Sequence, residues 1–244
     1  MKCVLVTGGG RGIGRAIASA LRDDGLQVSV VDTCGLVDPL PGIDFYRGDI
    51  GNAVDVANLL RDLEARGGID ILVNNAGIRG PTAPVTEYPV EEWETVLRVN
   101  LTGPFLCCRA FAPSMQKKGW GRIVNISSVA GKVPYPLRSA YAASKWGLIG
   151  FTLTLAREVG PYGITVNAVC PGPVDNAAMG EVMEQRARAT GRSLQEVRSE
   201  YLERLALRQM PSENEVAHMV SYLVSEAARS ITGQAMEVSS GYRG

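Results

Sequence analysis

Short apolar runs alternate with longer helical patterns along most of this 244-residue chain. Such alternation is typical of a parallel sheet, because parallel strands need a crossover between them that is usually a helix. The predicted strands are Val4–Thr7, Val28–Val31, Asp44–Arg47, Ile71–Asn74, Arg122–Ile126, Thr165–Val169 and Ala235–Val238. We therefore predict an α/β fold, with a doubly wound parallel sheet of about seven strands and helices on both faces.

The helical patterns lie between these strands, at Ile13–Asp24, Ala53–Arg66, Glu91–Lys118 with a break near Gly103-Pro104, Tyr141–Val159 and Glu213–Ser225. No repeat, low-complexity tract or linker divides the chain, so we expect one domain over residues 1–244. The polar and charged segment 175–210 interrupts the alternation. We expect it to form a substrate lid of this domain.

The charge and residue composition argue against several classes of function. The 25 basic and 25 acidic residues are spread along the chain without a basic block, so we expect no nucleic-acid partner. The first apolar run, Cys3–Val6, is too short for a signal sequence or membrane span, which favours a cytoplasmic protein without a membrane partner. The five cysteines form no CxxC pair, and the single histidine, His218, accompanies no nucleophile elbow. We expect neither a metal site nor hydrolase chemistry.

A glycine-rich loop joins the first predicted strand to the first predicted helix, with the sequence Thr7-Gly8-Gly9-Gly10-Arg11-Gly12-Ile13-Gly14. Glycines let the backbone turn sharply and approach a pyrophosphate, and the helix N-terminus offers that anion free N–H groups. The loop alone is a weak signal, but its position between a strand and a helix is typical of dinucleotide sites. The sequence therefore predicts a Rossmann-type fold.

A carboxylate, Asp32, follows the second predicted strand, 18 residues beyond Gly14. A carboxylate at this place accepts hydrogen bonds from the ribose hydroxyls of an adenosine and repels a 2′-phosphate. Arg11, inside the loop, favours a 2′-phosphate instead. Because no Arg or Lys adjoins Asp32 in the sequence, repulsion should prevail, and NAD is favoured over NADP.

Further motifs follow the loop in order. They are Asn74-Asn75-Ala76-Gly77, Val99-Asn100-Leu101-Thr102-Gly103, Asn125-Ile126-Ser127-Ser128, Tyr141-Ala142-Ala143-Ser144-Lys145 and Pro171-Gly172. Together with the TGxxxGxG spacing of the loop, they make nearly the whole chain resemble the classical short-chain dehydrogenase/reductase family. The resemblance implies an oxidoreductase that transfers a hydride between a nicotinamide cofactor and a secondary alcohol or ketone, and Asp32 favours NAD as that cofactor.

Tyr141 and Lys145 are four residues apart, so they share one face of a helix. A free phenol has a pKa of about 10 and is a poor base at neutral pH. Lowering this pKa by about 3 units requires about 4 kcal/mol of differential stabilisation of the phenolate. A nearby ammonium group and a positive nicotinamide ring act in that direction in a partly dry site. We therefore expect Tyr141 to be the catalytic acid/base.

The resemblance assigns roles to the other catalytic candidates. It implies that Ser128 hydrogen-bonds the substrate oxygen that exchanges a proton with Tyr141. It also implies that Lys145 holds the nicotinamide ribose and that Asn100 keeps a water near Lys145. Ser127 is an alternative to Ser128, but the offset of 13 residues to the tyrosine favours Ser128.

The resemblance also implies a cofactor site. Asp49 matches a position that contacts the adenine ring, although a helix N-cap or turn role is nearly as well supported. Asn176 stands where the family usually has a threonine that contacts the carboxamide. The implied cofactor-binding residues are Gly8, Arg11, Gly12, Ile13, Gly14, Asp32, Asp49, Ile50, Asn75, Ala76, Gly77, Tyr141, Lys145, Pro171, Gly172 and Val174.

Arg138, three residues before Tyr141, is the candidate for substrate recognition, with Ser128 and Tyr141 itself. A guanidinium binds a carboxylate, sulfonate or phosphate through two hydrogen bonds, although a surface ion pair or turn cap explains the residue equally well. We predict a small polar or anionic hydroxy compound as the substrate, and a sugar or polyol as the next choice. Two other functions stay open: an NADPH-dependent 3-ketoacyl-thioester reductase and an inactive nucleotide-binding scaffold. The resemblance implies a homotetramer or a homodimer.

Overall fold

A parallel sheet of seven strands forms the centre of the computed structural model, which describes residues 1–36 and 39–243. The strands are β1 Cys3–Thr7, β2 Gln27–Asp32, β3 Ile43–Arg47, β4 Ile71–Asn74, β5 Gly121–Ile126, β6 Ile164–Pro171 and β7 Ala235–Val238. Their order is β3-β2-β1-β4-β5-β6-β7, and every neighbouring pair is parallel. The predicted doubly wound α/β sheet in a single domain is confirmed. Val37, Asp38 and Gly244, which the predicted domain also includes, lie outside the described residues.

The described residues form eight α-helices: α1 Gly12–Asp23, α2 Ala53–Glu64, α3 Val90–Leu97, α4 Gly103–Lys118, α5 Ser139–Val159, α6 Ala177–Thr190, α7 Leu194–Glu203 and α8 Glu213–Val224. Alternate residues of each strand point to opposite faces of the sheet. In β1, Leu5 packs with α2, α4 and α5 on one face, whereas Val4 and Val6 pack with α1 and α8 on the other. Both faces are therefore covered, which explains why the strands read as nearly continuous apolar runs.

The strand order places the binding crevice. The chain runs from β1 through β2 to β3 on one side of the sheet, and then returns to the other side of β1 as β4. In open α/β sheets, ligands bind at the carboxyl ends of the strands where the order reverses in this way. The glycine loop follows β1 and the segment Asn74–Gly77 belongs to the end of β4, so both lie at this crevice.

The long helical pattern between β4 and β5 is interrupted directly before Gly103-Pro104. A π-helical turn, Arg98–Thr102, separates α3 from α4, and Gly103-Pro104 forms the first residues of α4. Proline suits the first turn of a helix, because the N–H that it lacks would have no partner there. The predicted break near Gly103-Pro104 is therefore present directly before this pair, and the irregular turn contains Asn100.

Residues 175–210 contain α6 and α7, which pack together above the carboxyl ends of the strands. Asn176 caps α6, and Ser193 and Glu196 form a reciprocal capping box at the start of α7. The two helices share a third apolar cluster, formed by Val129, Met179, Val182, Met183, Ala187, Val197, Tyr201, Leu205, Met210 and Tyr242. This segment has its own packed interior, which is why it interrupts the alternation of strands and helices.

An ionic cluster joins α6 to α7. The Glu200 carboxylate pairs with Arg204 (2.7 Å), with Arg186 (3.4 Å) and with Arg192. Hydrogen bonding to Arg192 is the chief cause that holds the pKa of Glu200 below its usual value. The charges of this segment are therefore partly paired within it, so α6 and α7 are held together as a unit.

Among the described residues, no helix is long and apolar enough to cross a membrane, and no group of histidine, cysteine and acidic side chains could hold a metal ion. All five cysteines are free. Cys107, Cys108 and Cys170 are buried, and burial raises the pKa of Cys108 to about 12. These thiols serve as small apolar core residues.

Candidate active site

One cleft of about 1130 Å³ lies along the carboxyl ends of the strands. It exceeds the range of about 300–1,000 Å³ that is usual for small-molecule pockets, so it can take a dinucleotide and a substrate together. Of the predicted site residues, only Asn100 does not line this cleft. The others do: Gly8, Arg11, Gly12, Ile13, Gly14, Asp32, Asp49, Ile50, Asn75, Ala76, Gly77, Ser128, Arg138, Tyr141, Lys145, Pro171, Gly172 and Val174.

The glycine loop brings bare backbone to the start of α1. A Cβ on Gly14 would collide with the Gly8 carbonyl oxygen and the Asn75 side-chain nitrogen. Asn75 donates to the carbonyls of Thr7 (3.0 Å) and Gly8 (2.9 Å), so it supports the loop. Gly8 and Gly12 have φ angles of 64° and 58°, which L side chains rarely adopt. Bare backbone at a helix N-terminus fits the pyrophosphate of a dinucleotide.

Backbone N–H groups hold the Asp32 carboxylate at the end of β2. Gly10 donates to Oδ2 (3.0 Å) and Cys34 donates to Oδ1 (3.1 Å). No Lys or Arg of the described chain forms an ion pair with Asp32. The carboxylate is therefore fixed in the cleft with its negative charge unpaired.

Asp49 is held by neighbouring protein groups. Its Oδ2 pairs with Arg98 (2.7 Å), and its Oδ1 accepts the Gly51 N–H (2.8 Å). Helix α2 is capped by Asn52, which accepts the Val54 N–H at 2.9 Å. The alternative that Asp49 is a helix N-cap is therefore wrong, and Asp49 is a turn aspartate that also lines the cleft.

Tyr141 and Lys145 lie in the first two turns of α5. The Lys145 Nζ is 5.7 Å from the centroid of the Tyr141 ring and donates to the Ile126 carbonyl at 2.8 Å. Lys145 is only 3% exposed, and burial is the main cause that lowers its pKa to about 8. The shared helix face that the spacing predicts is therefore present, with the cation next to the phenol.

The pKa of Tyr141 is raised in this structure, whereas the sequence predicts that it is lowered. Burial raises it above the usual value of a phenol, and this outweighs the lowering by Ser128, Arg79 and Arg138. The protein groups alone therefore keep the phenol protonated at neutral pH. A positive nicotinamide ring beside the phenol is the remaining group that would lower this pKa.

The two serines after β5 have different surroundings. The Ser127 hydroxyl is buried and donates to the Lys145 carbonyl at 3.0 Å. The Ser128 hydroxyl accepts the Ala130 N–H at 3.1 Å and lowers the pKa of Tyr141 through a hydrogen bond. This geometry favours Ser128 over Ser127 as the serine that meets a substrate.

Asn100 lies behind the cleft wall and is fully buried in the π-helical turn. Its Nδ2 donates to the Ile78 carbonyl (2.8 Å) and to Ser144 Oγ (3.0 Å), and its Oδ1 accepts the Ile78 N–H (2.8 Å). A Cβ on Gly77 would be 3.3 Å from Asn100 Oδ1 and 3.5 Å from Lys145 Nζ. An amide oxygen can accept a second hydrogen bond, so the geometry is compatible with a water beside Lys145.

Arg138 is 3% exposed, so it is not a surface arginine. Its Nη1 donates to the Gly80 carbonyl (2.6 Å), and its Nη2 donates to Gln185 Oε1 on α6 (2.8 Å). Gln185 also accepts a hydrogen bond from Thr82 (3.3 Å). Arg138 therefore joins the loop after β4 to α6, in addition to lining the cleft.

Sequence reasoning missed Arg79, which also lines the cleft. Its charge lowers the pKa of Tyr141, Arg138 and Lys145, so it lies near all three. No hydrogen bond or ion pair joins Arg79 to another described residue. A signal was available, since a charged residue just after β4 must lie at the carboxyl edge of the sheet. Gln185 gave no such signal, because its position depends on how α6 docks.

Comparison with known proteins decides the family. The model of the short chain dehydrogenases matches residues 2–187. The chain belongs to the short-chain dehydrogenase family. It is 34% identical to the D-beta-hydroxybutyrate dehydrogenase of Cupriavidus necator, over 99% of this chain and 97% of that protein.

Two solved structures of this family resemble the chain closely. NAD⁺-bound xylitol dehydrogenase has a TM-score of 0.92 at 28% identity and covers 98% of both chains. An actinorhodin polyketide ketoreductase with NADPH has a TM-score of 0.89 at 34% identity, over 98% of this chain and 96% of that one. This short-chain dehydrogenase is therefore a nicotinamide-dependent oxidoreductase of hydroxy compounds or ketones.

Proposed function

We propose that this short-chain dehydrogenase uses NAD(H) to interconvert a small anionic secondary alcohol and its ketone. The observation that carries the proposal is the pair of guanidinium groups, Arg79 and Arg138, whose charges both act on Tyr141. Neither forms an ion pair with a described carboxylate. Unpaired positive charge beside the acid/base favours a substrate that carries a carboxylate, sulfonate or phosphate. The similarity to a hydroxybutyrate dehydrogenase supports the same substrate class.

The placement of the side chains supports the catalytic roles that we propose. The Tyr141 phenol gives its proton to the carbonyl oxygen during reduction and takes the hydroxyl proton during oxidation. Ser128 hydrogen-bonds the same oxygen and orients it. Lys145 places an ammonium group near the phenol, which favours the phenolate. The bound cofactor supplies the hydride or accepts it.

A screen of substrates tests the proposed function. Nicotinamide absorbance is followed with NAD⁺ and with NADP⁺, for hydroxy acids, hydroxy sulfonates, their neutral esters or amides, and polyols. We expect kcat/KM to be at least about tenfold higher for an anionic substrate than for its neutral analogue, as a charged hydrogen bond would provide. A preference for polyols would support the polyol alternative, for which the similarity to xylitol dehydrogenase speaks. No absorbance change with any compound would favour an inactive scaffold.

The choice of NAD rests on Asp32. Its carboxylate lines the cleft, carries no partner cation among the described residues, and is fixed by two backbone N–H groups. An ordered negative charge there accepts ribose hydroxyls and repels a 2′-phosphate. Arg11, which also lines the cleft, favours NADP, and the similarity to an NADPH-bound ketoreductase keeps the ketoacyl-thioester alternative in view.

Asp32→Ser should shift cofactor preference toward NADPH by about 30-fold, because it removes charged hydrogen bonds to the ribose and relieves repulsion of the phosphate. The measurement is the ratio of the dissociation constants of NADPH and NADH, from nicotinamide fluorescence. Asp24→Ser, at an exposed aspartate outside the cleft, is the matched control. Tighter NADPH binding by the unaltered protein would contradict the choice of NAD and would move the ketoacyl reductase to first place.

We propose a homotetramer or homodimer that pairs the outer faces of α4 and α5, as the family resemblance implies. Three large apolar side chains on these helices are exposed: Phe105 by 44%, Trp146 by 52% and Leu153 by 42%. Trp146→Glu should lower the molar mass in solution by at least half, because it places a charge in this face. Sedimentation velocity measures the mass, and Val54→Glu, at an exposed position of α2, is the control. A monomeric unaltered protein would contradict the assembly.

We also propose that residues 175–210 act as a lid over the substrate and that the enzyme works in the cytoplasm. The contact of Gln185 with Arg138 joins this segment to the substrate side of the cleft. Five free thiols suit a reducing compartment. Hydrogen exchange of α6 with and without substrate tests the lid, and cell fractionation tests the compartment.

A further inference from the structure

The first two residues of the lid, Asp175 and Asn176, are hydrogen-bonded to the segment that begins α8. Asn176 accepts the Met179 N–H through Oδ1 (2.9 Å) and donates through Nδ2 to Glu213 Oε1 (2.8 Å). Beside it, the Asp175 N–H donates to the Pro211 carbonyl at 2.9 Å. The start of α6 is therefore tied to the start of α8 by two hydrogen bonds.

The same oxygen of Glu213 also lies beside the glycine loop. A Cβ on Gly12 would be 3.5 Å from Glu213 Oε1, and both residues line the cleft. Gly12 begins α1, whose first turn carries neither a side-chain cap nor an acidic residue. In the described chain, no ion pair compensates Glu213. The Glu213 carboxylate, which has no ion-pair partner among the described residues, thus lies between Asn176 of the lid and the loop that fits the pyrophosphate.

We propose that Glu213 is a positioning residue that couples cofactor binding at the glycine loop to the position of the lid. Its hydrogen bond to Asn176 holds the first turn of α6, and its charge opposes a pyrophosphate near Gly12. A cofactor at the loop therefore displaces the carboxylate, and the hydrogen bond transmits this displacement to α6. Because α6 also bears Gln185, which Arg138 holds, the displacement reaches the substrate side.

The coupling needs only an anionic dinucleotide at the loop, and it does not depend on the charge of the substrate. It also explains the asparagine at a position where the family usually has threonine. An asparagine both caps α6 and donates to Glu213, whereas a hydroxyl has a single proton and a shorter reach.

Two kinds of variant separate the charge of Glu213 from its hydrogen bond. Glu213→Gln keeps an acceptor for Asn176 and removes the charge, so the cofactor dissociation constant should fall about threefold at low ionic strength and less at high ionic strength. Glu213→Ala and Asn176→Ser both break the link, while serine retains an N-cap. In these two variants, amide exchange in the first turn of α6 should rise about fivefold without cofactor, the effect of about one hydrogen bond.

Hydrogen–deuterium exchange of residues 177–190 and cofactor fluorescence are the readouts. The titrations use whichever of NADH and NADPH binds the unaltered protein more tightly, so a wrong choice of NAD and an absent coupling give different results. Asn214→Ala, an exposed neighbour on α8, should match the unaltered protein. We expect α6 exchange to respond to cofactor in the unaltered protein, to respond more weakly in Glu213→Gln, which lacks the repelled charge, and not to respond in the two link-breaking variants. A response that persists in those two, or unaltered protein that does not respond, would overturn the coupling. Unchanged affinity in Glu213→Gln would overturn the electrostatic part.

Discussion

Tyr141→Phe should lower kcat by about 10³-fold in both directions and leave cofactor affinity within about threefold, because it removes the acid/base and keeps the ring. The phenol faces the cleft near Lys145. The hydroxyl of the neighbouring Ser128 is much less acidic than a phenol, so it cannot replace Tyr141 as the acid/base. Steady-state kinetics and nicotinamide fluorescence measure the two quantities. Tyr162→Phe, at an exposed tyrosine outside the cleft, is the matched control and should retain the activity.

The pH dependence of the oxidation and reduction rates provides a second test of the role of Tyr141. Burial raises the pKa of Tyr141, so without a positive ring nearby the phenol stays protonated at neutral pH. The oxidised cofactor carries a positive ring and lowers this pKa, whereas the reduced cofactor does not. Oxidation, which needs the phenolate, should therefore accelerate as the pH rises, and reduction should decline only at higher pH. Equal pH profiles for Tyr141→Phe and the unaltered enzyme would exclude Tyr141 as the titrating group.

Arg79→Gln should lower kcat/KM by about 100-fold for an anionic substrate and by less than about threefold for its neutral ester, because a hydrogen bond to a charged group contributes about 1.5–3 kcal/mol. The guanidinium of Arg79 has no hydrogen-bond or ion-pair partner among the described residues, whereas both terminal nitrogens of Arg138 are engaged by Gly80 and Gln185. The measurement is the ratio of kcat/KM for the acid and the ester. Arg79→Lys keeps the charge without the planar fork and should give an intermediate loss.

Two further variants test whether the effect on the acid-to-ester ratio is specific to Arg79. Arg229→Gln, at an exposed arginine outside the cleft, should leave the ratio unchanged. Arg138→Ala should raise KM for charged and neutral substrates, because α6 loses its link to the loop after β4, and the increase should be larger for the charged substrate because a positive charge near Tyr141 is also lost. An acid-to-ester ratio that Arg79→Gln does not alter would mean that Arg79 does not recognise a substrate anion.

Much of the fold could be predicted from the sequence because buried parallel strands and their crossovers leave a strong periodic pattern. The bounds of β4 and β7 agree with the prediction, and the other strands differ by one or two residues at one or both ends. The glycine loop and the shared helix face of Tyr141 and Lys145 could also be predicted, because each depends only on a local sequence pattern.

Features that depend on tertiary contacts could not be read from the sequence. Whether the pKa of Tyr141 is raised or lowered depends on how deeply the phenol is buried, and the spacing of residues in the sequence does not reveal this. The engagement of Arg138 by Gln185 and the link from Asn176 to Glu213 both require the docked position of α6. Arg79 was missed for another reason, since its place after β4 already indicated the cleft.

The π-helical turn at Arg98–Thr102 affects which mutations the protein can accept in this segment. Such a turn holds one residue more than the regular helix needs, and each residue of a helix advances the direction of the side chains by about 100°. Deleting one residue there would restore a regular helix. It would then turn Asn100 away from Ile78, or turn Phe111 of α4 out of the core. This segment should therefore tolerate exchanges at an exposed position such as Thr102 but almost no change in its number of residues.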